Sequence, residues 1–65
     1  MGNLIVTITS ELLPNIKEAF YFPAMFSIDD CVDEAVMCFI TMYERQVNVG
    51  HSDFYDTIHY TVEEI

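Results

Sequence analysis

The sequence predicts an α+β domain in which one helix packs on a small, mostly antiparallel three-stranded sheet, in the order β-β-α-β. Three observations carry that expectation. Apolar and polar residues alternate with a period of two within Asn3–Thr9 and again within Ser52–Glu64. Between them, a run opening at Ser27 spaces its apolar residues three and four apart, the period of a helix. A chain of 65 residues has room for one hydrophobic core, so residues 1–65 are read as a single domain.

Asn3–Thr9 sets Leu4, Val6 and Ile8 against Ile5, Thr7 and Thr9, which reads as a strand with one face on a core. Ser10–Asn15 holds Pro14 and polar turn formers and reads as a connection with room for one helical turn. Ile16–Phe26 is rich in aromatic residues and reads as a second strand. Pro23 cannot donate to a ladder, so it belongs to an edge, a bulge or the strand's end. Ser27 suits a helix N-cap, with Asp30 three residues on as a short-armed capping-box acid.

From there Ile28, Val32, Ala35, Val36, Phe39, Tyr43 and Val47 form an apolar stripe, and centring it on Ile28 turns Asp30, Asp33, Glu34, Thr41 and Glu44 outward. Asn48–Gly50 ends the helix, with Gly50 the candidate for a left-handed turn. Ser52–Glu64 reads as the third strand, preceded by an acidic turn around Asp53. A right-handed crossover from the second strand places the third beside the first, in spatial order 2-1-3. That leaves one sheet face open, with Ile5, Tyr21 and Tyr55 as candidates for an exposed recognition or dimerisation surface.

Composition narrows the function classes. Hydrophobic residues make up 52% of the chain, five Phe and four Tyr among them, enough to favour folding at a length where burial is limited. Eleven acids face only Lys17 and Arg45, for a net charge of −9. Direct binding of nucleic acid or of an anionic membrane needs Lys and Arg that this chain lacks. The longest apolar run, Ala19–Phe26, contains Pro23 and is too short to span a bilayer. With no signal-like start, the expected compartment is the cytoplasm.

Catalytic and metal chemistry find little support. His51, His59 and Asp53 lack a metal-ligand spacing, and no glycine-rich phosphate loop exists. Cys31 and Cys38 lie about 10 Å apart along one helix, too far for a mutual disulfide. Both therefore read as reduced, partly buried thiols, with a bridge between two copies as the lesser alternative. Neighbouring carboxylates disfavour their thiolates, which argues against a nucleophilic role. The expectation is therefore a protein that is not an enzyme and takes no cofactor.

The acids form a pattern. Asp30, Asp33, Glu34 and Glu44 make a ridge on the helix, and Asp53, Asp56, Glu63 and Glu64 a second cluster. Carboxylates one turn apart, about 5.4 Å, loosely follow a phosphate rhythm of about 3.4 Å along a DNA strand. A basic channel built for duplex would be attracted to such a ridge. In size, charge and element order, the whole chain resembles phage-encoded inhibitors of host machinery, among them anti-CRISPR proteins, glycosylase inhibitors and polymerase inhibitors. That resemblance implies a DNA mimic presenting these eight acids to a basic nucleic-acid-binding protein or complex, such as a CRISPR surveillance complex, in a bacterial host's cytoplasm. Ser27–Ile40 (SIDDCVDEAVMCFI) also resembles the helix of HicB-type antitoxins, without the glycine-rich turn that precedes it there. The competing expectation is an interaction module that binds through Met37, Ile40, Tyr21 and Tyr55, with the acids serving solubility. The sequence leaves monomer and homodimer both open.

Overall fold

The computed structural model describes residues 2–65. The elements are β1 (Leu4–Ser10), β2 (Leu13–Phe22), α1 (Ile28–Val47), α2 (His51–Asp56) and β3 (Ile58–Glu64). The sheet has the order β2-β1-β3, and β1 pairs antiparallel with both neighbours. This is the expected α+β class and the expected strand order.

β1 alternates strictly. Leu4, Val6, Ile8 and Ser10 are buried, while Ile5, Thr7 and Thr9 face the other way. Register carries that sidedness outward: Val6 lies opposite Phe20 and Val62, and Leu4 opposite Phe22 and Glu64. α1 covers this face with Cys31, Ala35, Val36, Phe39 and Ile40, all buried. Ile28, the expected centre of the stripe, is instead 54% exposed. The helical period fixes a side chain's direction, but at the helix's first residue little packs opposite it. Cys31, expected to be partly buried, is 1% exposed and belongs to the core, whereas Cys38 is half-buried.

Three local expectations change. Residues 10–15 are not a connection with a helical turn. Glu11 and Leu12 make a tight hairpin, and β2 begins at Leu13 and ends at Phe22, before Pro23. Pro14 is tolerated because β2 is an edge strand. The register shifts from Thr9↔Lys17 to Ser10↔Leu13, so a bulge takes up Pro14, Asn15 and Ile16.

Second, the acidic turn and the start of the third strand are a six-residue helix, α2, and β3 begins only at Ile58. Phe54 is its one buried residue, fully enclosed and tilted against Phe39 at 6.0 Å between ring centroids. Third, the left-handed residue is Asn48 (φ 55°), while Gly50 has φ −65° and caps α2. Asn adopts this conformation more readily than most side chains, so it ends the helix without a glycine.

A relay of hydroxyls ties the hairpin to α2 and β3. The Leu12 N–H donates to Ser10 Oγ (3.1 Å), Ser10 Oγ lies 2.8 Å from Thr57 Oγ1, and Thr57 Oγ1 donates to the Phe54 carbonyl (2.7 Å). With Thr57 donating onward, Ser10 is the donor of the middle bond. Ser10, 4% exposed, is thus a buried polar group with its bonding satisfied.

Two substitutions test this account by urea unfolding. Phe54→Ala should cost about 3–5 kcal/mol and unfold much of a chain this small at 37 °C. Ser10→Ala should cost about 1–3 kcal/mol, because the Leu12 N–H and Thr57 lose their partner.

Candidate functional site

Helix geometry gathers four of the eight acids singled out above. Asp30, Asp33, Glu34 and Glu44 are all exposed on the side of α1 that faces away from the sheet. From Asp30 to Glu44 the rise is about 21 Å at 1.5 Å per residue. Ser27 starts the helix by accepting the Asp30 N–H (3.2 Å), and Asp29 and Asp30 in the first turn meet the positive end of the helix dipole.

The other four acids do not join one surface. Asp53 and Asp56 lie exposed on α2. Glu63 and Glu64 are successive strand residues and point to opposite sides of the sheet. Glu64 shares the α1 side with its partner Leu4, and Glu63 shares the open side with Ile5.

Ten of the eleven carboxylates are exposed, Glu18 being half-buried. Among the described residues, no Lys or Arg pairs with any of them. The one contact between a basic side chain and a carboxylate among these residues is the hydrogen bond between His59 Nε2 and Glu11 Oε2 (2.7 Å), both side chains largely in solvent. The negative field of the surface is therefore uncompensated at short range. No three His, Cys, Asp or Glu groups among the described residues sit together as a metal site would require, and no helix is long and apolar enough to cross a membrane.

The apolar candidates divide as well. Tyr21 is 62% exposed on the open sheet face opposite Ile5, and its hydroxyl accepts a hydrogen bond from Asn3 Nδ2 (3.2 Å). Thr7, Thr9, Ala19, Lys17 and Thr61 fill most of that face, which is polar rather than sticky. Tyr55, expected on it, sits on α2 beside Val32, Val36, Ile58 and Tyr60 on the α1 side. Ile40 is 1% exposed and cannot meet a partner, whereas Met37 is 48% exposed.

The β2 flank of α1 brings Cys31 and Cys38, read from the sequence only as thiols, together with Phe20, Phe22, Phe26 and Met42, which the sequence did not single out. Phe20, Cys38 and Met42 line a cleft there with Met37. Phe22, Phe26 and Cys31 line another beside Asp30 and Glu34. The two-residue spacing of Phe20 and Phe22 and the four-residue spacing of Cys38 and Met42 were the available signals.

Two groups on this flank have shifted acidity. Burial, together with the charge of Glu34 and its hydrogen bond from Cys38 (3.8 Å), pushes the Cys38 thiol up. Nearby, the Tyr43 hydroxyl donates a hydrogen bond to Glu18. That bond, with burial and the Glu18 charge adding, holds the Tyr43 hydroxyl above its ordinary range.

Cys38 should therefore alkylate more slowly at pH 7.5 than an unstructured thiol, and Glu34→Gln should accelerate it several-fold, read by mass spectrometry. For Tyr43 the folded state holds its proton more tightly than the unfolded state. Its contribution is complete below about pH 10 and is lost as pH rises through the raised folded value. Tyr43→Phe should accordingly show a smaller loss of urea midpoint than the parent as pH rises above the ordinary tyrosine range, about 10. Comparison with protein families, with curated proteins and with solved structures finds no match for this chain.

Proposed function

We propose that this chain is a non-catalytic binding protein whose carboxylate surface occupies a basic site on a partner, in the manner of a DNA mimic. The observation that carries the reading is the uncompensated charge. Ten exposed carboxylates, none paired with Lys or Arg among the described residues, crowd a surface of only 4502 Å². Such a field steers association with a positively charged cleft and excludes partners of like charge. A cleft that binds nucleic acid is the natural target, because its cations are spaced for phosphates. In the form that the resemblance to phage-encoded inhibitors implies, the partner is a nucleic-acid-handling complex such as a CRISPR surveillance complex, and the outcome is inhibition.

The ridge on α1 is the centre of this interface, because Asp30, Asp33, Glu34 and Glu44 share one face of one rigid element. Asp53 and Asp56 extend the negative field from α2. Glu63 and Glu64, on opposite sides of the sheet, cannot both touch a single flat partner.

A tagged pull-down from host lysate, washed in parallel at low and high salt, tests the reading. It should recover a nucleic-acid-binding protein that salt elutes and added nucleic acid competes away. Replacing Asp30, Asp33 and Glu34 together with Lys should weaken that complex by at least roughly tenfold. Undiminished binding by the triple variant, or a partner retained through high salt and indifferent to nucleic acid, contradicts it.

A further inference from the structure

An apolar groove runs between the edge strand β2 and one flank of α1. Its upper part, a cleft of about 320 Å³, is lined by Phe22, Phe26 and Cys31 with Asp30 and Glu34 at its rim. Its lower part, about 450 Å³, is lined by Phe20, Met37, Cys38 and Met42 with Glu34 again at the border. Phe20 and Phe22 are alternate residues on the α1 side of β2, lying opposite Val6 and Leu4, and Glu34 borders both clefts. Phe26 and Met42 are each 50% exposed and Met37 48%, whereas Met25, just beyond the strand, is 81% exposed. Large apolar side chains gathered this way on a small protein mark a contact surface.

We infer that this groove docks a partner segment that carries bulky apolar side chains flanked by Arg or Lys. Charge selects that occupant. The rim carboxylates Asp30 and Glu34 have no Lys or Arg of their own among the described residues, and each gains a partner when a cation flanks the inserted side chain. A second copy of the chain would bring another −9 to the same place. The walls suit a short apolar anchor, since methionines reshape around different side chains at little cost. Amphipathic basic segments present this combination along one face.

The inference rests on the reading of the chain as a binder of basic partners. It adds that affinity comes from an apolar anchor beside the ridge and not from charge alone.

Two synthetic peptides with equal numbers of lysines separate these contributions. One is a leucine–lysine peptide with helical periodicity, and the other is oligolysine. Each is titrated into ¹⁵N-labelled full chain by NMR and calorimetry. The leucine–lysine peptide should bind at least about tenfold more tightly. It should shift resonances of Phe20, Phe22, Met37 and Met42, while oligolysine shifts only residues around the acids and is released by salt. The double variant Met37→Ser, Met42→Ser keeps the charge and replaces exposed side chains. It should lose the advantage of the leucine–lysine peptide with an unchanged circular dichroism spectrum.

Equal affinities with shifts confined to the acids overturn the groove and leave the charge reading standing. Groove binding without any oligolysine binding keeps the groove and removes the charge-only reading. Failure of both peptides overturns the inference. So does a concentration-dependent dimer, seen by sedimentation, that the double variant abolishes.

Discussion

The fold depends on β1. It is the one strand with a neighbour on each side, and its inward residues Leu4, Val6 and Ile8 lie at the base of the core. Everything else is referred to it. Its register with β2 turns Phe20 and Phe22 towards α1, and its register with β3 does the same for Val62 and Ile58. Its last residue, Ser10, ends the strand and anchors the relay that holds Thr57 and the end of α2. A one-residue slip of β1 would exchange Thr7 for Val6 beneath the helix and dismantle both layers at once.

That narrow base explains the division of the surface. One 20-residue helix over a three-stranded sheet covers the middle of the sheet and leaves its flanks open. On the β3 side, α2 inserts Phe54 against Phe39, and Tyr55 with Val32 and Val36 borders a smaller cleft of about 180 Å³. On the β2 flank no element performs that task, and the apolar groove remains. The carboxylates are excluded from the core by the cost of burying charge, so they crowd the remaining exterior with almost no cations among them. An apolar groove and an acid ridge thus meet along α1, and Glu34 belongs to both.

How much of this was legible in the sequence follows from what each signal encodes. Strict alternation in β1 and the helical stripe of α1 are properties of a single element, and both were readable. So was the outward direction of Asp30, Asp33, Glu34 and Glu44, which one helical wheel determines. α2 was not, because six residues with one buried side chain have no period to detect. Pro14 and Asn15 signalled a turn, but only the edge position of β2 explains why they are tolerated inside a strand. Ile28 has the right angle for the core and still faces water, since direction does not say what lies opposite. The opposed sides of Glu63 and Glu64 follow from period, yet which side meets α1 required the register with β1. The groove needed two elements at once. Its residues come from β2 and α1, and no spacing in the sequence links Phe20 to Met42.

The surface carries an uncompensated negative field, which the small core sustains against self-repulsion. Thermal unfolding of the free protein at increasing NaCl, from about 20 mM to about 0.5 M, tests it most directly, because the screening length falls several-fold over that range. The melting temperature should climb steadily as like-charge repulsion is screened. A melting temperature that stays level or falls would mean that the carboxylates are already compensated, and would contradict it.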